Sequence, residues 1–231
     1  MFRNLFLAAL LAAFCAGLVT SAFQFTRLVP LILEAEQYEG EAHAHDHAHE
    51  DEGVAHSHDE DEWMPEDGFE RTAYTVLANF LLAAGFAFVI AAVSVIFNLP
   101  LTPMTGVLWG VGGFIAFSLA PSLGLPPGLP GMPVADTGAR QFWWVFAATA
   151  TGAGLVLLAK YRAAWAIALA VALFVVPHLF GAPQPPSQET DVPAGLAAAF
   201  ASNVLANGLV FWVVLGVTYG FANLRFSRSA R

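Results

Sequence analysis

Charged residues are scarce in this chain, and long stretches contain none. Asp, Glu, Lys and Arg make up 12% of the 231 residues, about half of the roughly 25% usual in soluble domains. Fifteen of the 18 carboxylates lie between residues 34 and 70, and the others are Asp136, Glu189 and Asp191. The apolar runs between these stretches hold no Asp or Glu, as a hydrocarbon solvent requires. We therefore predict an all-α integral membrane protein with a single membrane domain.

Other chemical groups are missing as well. The single cysteine, Cys15, lies in an apolar run, so no internal disulfide can form and the redox compartment is not indicated. The chain has no Walker A motif, no His-Glu-x-x-His motif and no catalytic serine or cysteine context, so we predict that it is not an enzyme. The net charge of −9 belongs mainly to one loop, which argues against nucleic-acid binding.

The apolar runs predict a polytopic bundle of about six transmembrane helices, because each span needs about 20 apolar residues. With the N-terminus inside, six Lys or Arg residues fall on the inner side and three on the outer side, where every carboxylate lies. The positive-inside rule then places both termini on the cytoplasmic side. We expect the membrane to be a bacterial inner membrane, with lipid around the bundle. The predicted spans cover residues 4–25, 73–97, 104–121, 141–159, 163–180 and 193–223.

The N-terminal run also fits a second interpretation. Arg3, the apolar residues after it and Thr20-Ser21-Ala22 resemble a secretory signal with a cleavage site. Cleavage would leave five spans and place the new N-terminus outside. Apolar residues resume at Leu28 and continue to Leu33, which favours retention of the segment as the first span.

Residues 34–70 are predicted to form one long acidic, histidine-rich extracytoplasmic loop. Alternate spacing would place four imidazoles on one side of an extended chain. Neutral imidazole binds Co, Ni, Cu and Zn, and neighbouring carboxylates attract cations. We expect this loop to be disordered without metal and to capture divalent transition metal weakly; the alternative is a solvated linker. The predicted ligands are His43, His45, His47, His49, His56 and His58.

A few polar residues interrupt the predicted spans. His178 follows Pro177 at the outer end of the fifth span, where it is either an ion ligand or an interfacial histidine bound to backbone or water. Asn203 and Asn207 share one face of the last span, and Asn79 lies in the second. Their amides can offer oxygens to a cation, although hydrogen bonds between helices are the commoner use.

Two small-residue motifs predict close contact between helices. They are Gly106-x-x-x-Gly110 and Gly216-x-x-x-Gly220. Glycine at this spacing lets two helix backbones approach each other within a membrane. The motifs indicate packing and carry no chemistry of their own.

The loop between the third and fourth predicted spans carries a recognisable pattern. It reads Pro121-Ser-Leu-Gly-Leu-Pro-Pro-Gly-Leu-Pro-Gly131 and is followed by Arg140-Gln-Phe-Trp-Trp144. Together with Pro177-His-Leu-Phe-Gly-Ala-Pro183 and the opening Phe2-Arg-Asn-Leu-Phe6, it resembles the CbtA family of predicted cobalt transporter subunits over nearly the whole chain. The positions that match its motifs, without a known role, are Pro127, Pro130, Gly131, Arg140, Gln141, Trp143, Trp144, Pro177 and His178.

The resemblance implies cobalt uptake for cobalamin synthesis, beside a small single-span, histidine-bearing partner of the CbtB type. The residues alone leave nickel, zinc and copper open as the substrate ion. We predict that metal gathered by the loop is received at the outer mouth by His178 with Asp136. It would then pass along a seam that includes Asn79, Asn203 and Asn207. The alternatives are a metal-tolerance exporter or sensor, and a membrane scaffold that buffers metal without transporting it.

Overall fold

A computed structural model describes residues 2–46, 65–66 and 68–228 of the chain. Within these ranges the fold is helical and contains no β-strand. Two π-helical turns, Gln24–Leu28 and Ile115–Leu119, join α1 to α2 and α4 to α5. The helices are α1 Phe2–Phe23, α2 Val29–Asp46, α3 Phe69–Ile96, α4 Pro103–Phe114, α5 Ala120–Ser122, α6 Thr137–Lys160, α7 Ala164–Phe180 and α8 Ala194–Arg228.

Five helical stretches of the described chain are long and apolar enough to cross a membrane. The predicted fifth span corresponds to α7, which has 17 residues and covers only about 25 Å at about 1.5 Å per residue. Gly181 stops it by adopting a φ of 79°, a conformation that glycine tolerates. The prediction of an all-helical membrane protein is confirmed, but the predicted six full spans become five long helices and one short apolar helix. The five are Arg3–Tyr38, Phe69–Ile96, Pro103–Ser122, Thr137–Lys160 and Ala194–Ser227.

The first helix is much longer than its predicted span of residues 4–25. It passes through the π-helical turn at Gln24–Leu28 and continues as α2 to Asp46, inside the segment predicted as a loop. Glu and Ala are the commonest residues of this extension and are good helix formers. Adding turns to an existing helix also needs no new nucleus. His43 and His45 therefore have helical backbone, and the predicted extended arrangement does not hold for these two.

Helix α8 lies at the centre of the bundle, with α1 and α4 packed along it. The glycines of α4 face those of α8 so closely that their backbones touch. A Cβ on Gly216 would lie 2.3 Å from the Gly106 carbonyl oxygen, and one on Gly110 would lie 2.6 Å from that of Trp212. The predicted use of these motifs for close packing is confirmed.

The bundle has two ends with different contacts. At the termini end, the Asn4 amide donates to the Phe226 carbonyl at 3.1 Å, and Asn223 donates to the Leu101 carbonyl at 2.9 Å. At the loop end, an apolar cluster joins α2, the loop before α6 and the start of α8. Its buried members are Leu28, Ala35, Leu129, Val192, Leu196 and Phe200.

The two ends also differ in charge. The described carboxylates lie at the loop end or on α2 beyond it, as the sequence predicts for one side of a membrane. Arg27, Arg71 and Arg140 are at the loop end as well. The termini end carries basic residues only, in the described chain, namely Arg3, Lys160, Arg162, Arg225 and Arg228.

We expect Gly216→Ala to destabilise the protein by about 1–3 kcal/mol, because the added methyl group meets backbone that cannot rotate away. Thermal unfolding of the detergent-solubilised chain, followed by loss of the monodisperse chromatographic peak, measures the effect. Gly152→Ala is the matched control, since nothing lies within 4 Å of its Cβ position. Equal melting temperatures of the two variants would contradict the packing described for α4 and α8.

Candidate functional site

A cavity of about 830 Å³ occupies the half of the bundle nearer the loop end. Exposed residues at that end, including Pro126, Thr137 and Gln141, form its outer part, so it is accessible from the loop end. Its walls come from α1 and the π-helical turn after it, from α3, from residues between 117 and 145, and from α8. The polar residues of the wall are Thr20, Gln24, Asn79, Ser118, Ser122, Thr137, Arg140, Gln141 and Asn207.

Hydrogen bonds between buried polar side chains form the deeper wall. The Asn79 amide Nδ2 donates to Ser21 Oγ at 3.0 Å and to Gln24 Oε1 at 2.7 Å. Thr20 donates to Asn207 Oδ1 at 2.9 Å. These bonds join α1 to α3 and to α8, and they offset the cost of burying amides within a membrane.

Each of these two asparagines has one side-chain atom that no hydrogen bond within the described chain uses. Asn79 Oδ1 and Asn207 Nδ2 have no partner in the described ranges. No buried side-chain nitrogen or oxygen there lacks a partner, so both atoms must be accessible. The residues are only 7% and 9% exposed and line the cavity. The cavity therefore offers an amide acceptor and an amide donor to its contents.

Both π-helical turns contribute to the cavity wall, through Gln24 on the first and through Phe117 and Ser118 on the second. A π-helical turn inserts a residue and shifts the regular backbone pairing. A nearby hydroxyl binds backbone oxygen in each case. Thr26 donates to the Ala22 carbonyl at 2.8 Å, and Ser122 donates to the Ser118 carbonyl at 2.7 Å. Such turns are frequent at functional sites.

Aromatic rings close the cavity towards the termini end. We call Phe86, Phe117, Phe211 and Trp212 the aromatic floor. Their ring centroids lie 4.7 Å apart for Phe86 and Trp212, and 5.4 Å apart for Phe117 and Trp212. The indole of Trp212 donates to Ser118 Oγ at 3.3 Å and fills the space over Gly113. On α3 and α8, no residue nearer the termini end lines the cavity.

Arg140 is the one charged residue among the described residues that line the cavity. It lies near the start of α6 and forms no ion pair or side-chain hydrogen bond within the described ranges. Asp136, one helical turn earlier, does not line the cavity. Its Oδ1 instead accepts the Ala139 backbone N–H at 2.8 Å and caps α6. Among the described residues, the cavity lining therefore has one positive side chain and no carboxylate.

The residues of the family motif separate into two groups. Pro127, Arg140, Gln141 and Trp144 line the cavity, while Trp143 turns towards α7. The Trp143 indole donates to the Pro177 carbonyl at 3.3 Å, and its ring meets His178 edge-on with centroids 5.7 Å apart. In the loop before α6, Gly131 adopts a φ of 75° and its carbonyl accepts from Thr190 at 3.0 Å. Pro130 precedes it in the same loop.

The structure gathers only part of the predicted ion path. Asn79 and Asn207 line the cavity, whereas His178, Asp136 and Asn203 do not. The Asn203 amide donates to the Ala199 carbonyl of its own helix at 2.8 Å. In the described ranges no three His, Cys, Asp or Glu side chains come together to hold a metal. The predicted ligands His47, His49, His56 and His58 lie outside the described residues.

Long apolar helices around a cavity whose wall includes polar residues are the features of a polytopic membrane protein. The chain belongs to the CbtA family, whose model, described as "Probable cobalt transporter subunit (CbtA)", matches residues 2–223. The resemblance found in the sequence is thereby confirmed. The description names cobalt as the metal, and the word subunit implies a partner protein. No curated protein and no solved structure matches the chain.

We expect Thr20→Val and Asn207→Leu to be coupled, because each removes one partner of the same buried hydrogen bond. A double-mutant cycle of unfolding free energies in detergent should give a coupling of roughly 0.6–1.7 kcal/mol, the range of membrane hydrogen bonds. The pair Thr149→Val and Asn207→Leu is the control, since Thr149 bonds to its own helix. Additive effects of Thr20→Val and Asn207→Leu would show that this hydrogen bond does not stabilise the cavity wall.

Proposed function

We propose that this chain is the membrane subunit of an importer for divalent cobalt that supplies cobalamin synthesis in a bacterium. The loop end faces outwards and both termini lie in the cytoplasm. The histidine-rich segment collects metal and the cavity receives it. The observation that carries the proposal is an accessible cavity, lined in part by polar residues, that ends on the aromatic floor in a chain of the cobalt transporter family.

The position of the histidine-rich segment supports uptake. The described chain leaves the bundle along α2 and returns at α3, and both connections are at the loop end. Arg71 of α3 holds Glu36 of α2 in an ion pair of 2.6 Å, which joins the two flanks. Metal bound between these flanks would be concentrated on the side from which the cavity is accessible.

The proposed path follows the cavity and not the predicted outer mouth at His178. Asn79 and Asn207 supply accessible polar atoms along it, and Arg140 lies nearer its entrance. His178 packs against Trp143 between α6 and α7, and Asp136 caps α6. We therefore assign these two residues to the support of α6.

Transport requires the aromatic floor to open, and its opening needs energy from elsewhere. None of the described residues that line the cavity is a carboxylate that could relay protons. A small single-span partner of the CbtB type is the proposed second subunit. It would contact the bundle through the lipid-facing side of a long helix.

The lack of a metal-ligand cluster in the described ranges favours one alternative. In this alternative the chain is a non-transporting scaffold whose histidine-rich segment buffers metal outside the membrane. A metal-tolerance exporter predicts the opposite change in the metal content of the cell, because its loss would raise that content. Loss of an importer would lower it.

Cellular uptake of radioactive cobalt tests the proposal, with nickel and zinc as competitors. We expect Asn79→Leu to reduce uptake at least about ten-fold, the effect of roughly 1.4 kcal/mol, because it removes polar atoms from the cavity wall. His178→Ala is the matched control at the same end of the bundle and should retain uptake. All variants are compared at equal membrane expression, with the partner subunit present.

Two outcomes would contradict this assignment. Loss of uptake in His178→Ala with normal uptake in Asn79→Leu would move the path to the interface of α6 and α7. Cobalt uptake that does not depend on the chain at all would contradict the importer proposal and favour the scaffold.

We expect the histidine-rich segment to assist uptake only while its imidazoles are neutral, since protonation competes with metal binding. Replacement of the six histidines from His43 to His58 by Gln should therefore lower uptake at pH 7.5 and low external cobalt. The difference should vanish well below pH 6.5, about the ordinary imidazole pKa. Uptake at saturating cobalt is the internal control. A deficit that persists unchanged at pH 5 would assign the segment a role other than metal capture.

A further inference from the structure

We propose that the cavity binds an oxyanion at Arg140 and that the metal enters it as a carboxylate chelate, not as the bare hydrated dication. This inference rests on the proposed function and specifies its substrate. The shared chemistry is a carboxylate or phosphate oxygen bound by a guanidinium group. The structural basis is the juxtaposition of Arg140 with the free amide atoms of Asn79 and Asn207 in one cavity.

The charge of the described lining opposes a bare dication. It contains Arg140 and no Asp, Glu, His or Cys. Asp136 is the nearest carboxylate along α6, but it does not line the cavity and forms no ion pair with Arg140. Within the described lining, a divalent cation would thus meet a fixed positive charge and no anionic ligand. A chelate with carboxylates that do not bind the metal would instead be attracted to the positive charge of Arg140.

The hydrogen-bonding groups of the cavity fit the same ligand. A carboxylate only accepts hydrogen bonds, whereas guanidinium offers several donors in a planar fork that matches it. Arg140 uses none of these donors within the described ranges. The free Nδ2 of Asn207 adds another donor deeper in the cavity. The free Oδ1 of Asn79 can accept from a hydroxyl group or a metal-bound water.

The volume of the cavity also fits a chelate better than an ion. Six waters at about 30 Å³ each give a hydrated ion roughly 180 Å³. The cavity of about 830 Å³ is several times larger and falls in the range of roughly 300–1,000 Å³ typical of small-molecule sites. A hydrated ion would leave most of it filled with water. A metal held by a hydroxy-carboxylate such as citrate would fill more of it.

The same oxyanion chemistry has a second source, the phosphate of a lipid headgroup. Arg140 lies near the start of α6, at the loop end of the bundle. The polar lining, however, continues from Arg140 to Asn79 and Asn207, halfway into the bundle. Lipid acyl chains cannot form hydrogen bonds with these amides. We therefore assign the cavity to the soluble chelate.

Binding to the purified full-length chain in phosphatidylcholine nanodiscs tests the inference apart from transport. The probes are labelled cobalt chloride in a non-chelating buffer, the same cobalt with excess citrate, and labelled citrate alone. The variants are Arg140→Gln and Arg140→Lys. Arg27→Gln is the matched control, because it removes the same charge at the loop end from an exposed residue outside the cavity. Size-exclusion profiles confirm that each variant is folded.

We expect cobalt to bind at least ten-fold more tightly with citrate than without it. Arg140→Gln should abolish this preference, Arg140→Lys should retain part of it, and Arg27→Gln should leave it unchanged. Because the histidine-rich segment is itself proposed to bind free cobalt, the preference is also measured in the variant with its six histidines changed to Gln. An undiminished preference in Arg140→Gln, or equal binding of both forms of cobalt, would overturn the inference.

Two further outcomes separate the remaining possibilities. Anionic lipid that copurifies with the wild type but not with Arg140→Gln, without citrate binding, would assign Arg140 to a headgroup and overturn the chelate. Chelate binding that needs Arg140, in a chain on which cobalt uptake does not depend, would support the inference. The same result would contradict the proposed importer function.

Discussion

The backbone contact between α4 and α8 at their glycines is the constraint on which the rest of the structure depends. Gly106, Gly110 and Gly216 leave no room for a Cβ, so the two helices touch along the half nearer the termini. On the same pair of helices, Gly113 then makes space for the ring of Trp212, and the aromatic floor forms there. Small polar side chains follow towards the loop end, where the cavity begins. The closed and open halves of the bundle thus result from three successive kinds of side chain along two helices: glycines, then aromatic rings, then small polar groups.

Much of this fold follows from local features of the sequence, and the exceptions have identifiable causes. The absence of carboxylates from the apolar runs was sufficient to predict the helical membrane fold, because hydrocarbon penalises each unpaired charge. The glycine motifs predicted the close contact correctly. The continuation of α1 as α2 to Asp46 does not follow from the sequence, since a polar composition normally indicates the end of a membrane span. The π-helical turns were also missed, because no residue pattern marks an inserted residue within a continuous helix.

The cavity could be predicted only in part. Asn79, Asn207 and Arg140 were singled out as rare polar residues or as motif positions, and they do line it. Thr20, Ser118 and the aromatic floor were not, because hydroxyl groups and aromatic rings are common in membrane helices and have many uses. Asn203 was placed on the path through its spacing from Asn207, but spacing along a helix does not reveal where a cavity ends. That boundary depends on which helices meet, which is a long-range property of the packing.

The short helix α7 ties the shape of the cavity to the surrounding bilayer. Its 17 residues cover about 25 Å, some 5 Å less than a typical hydrocarbon core of about 30 Å. The mismatch requires the bilayer to thin beside α7, or the hairpin of α6 and α7 to tilt. Helix α7 packs chiefly on α6, and α6 forms one wall of the cavity. Membrane thickness therefore acts on that wall as a mechanical load, and lipids of different chain length should shift its position.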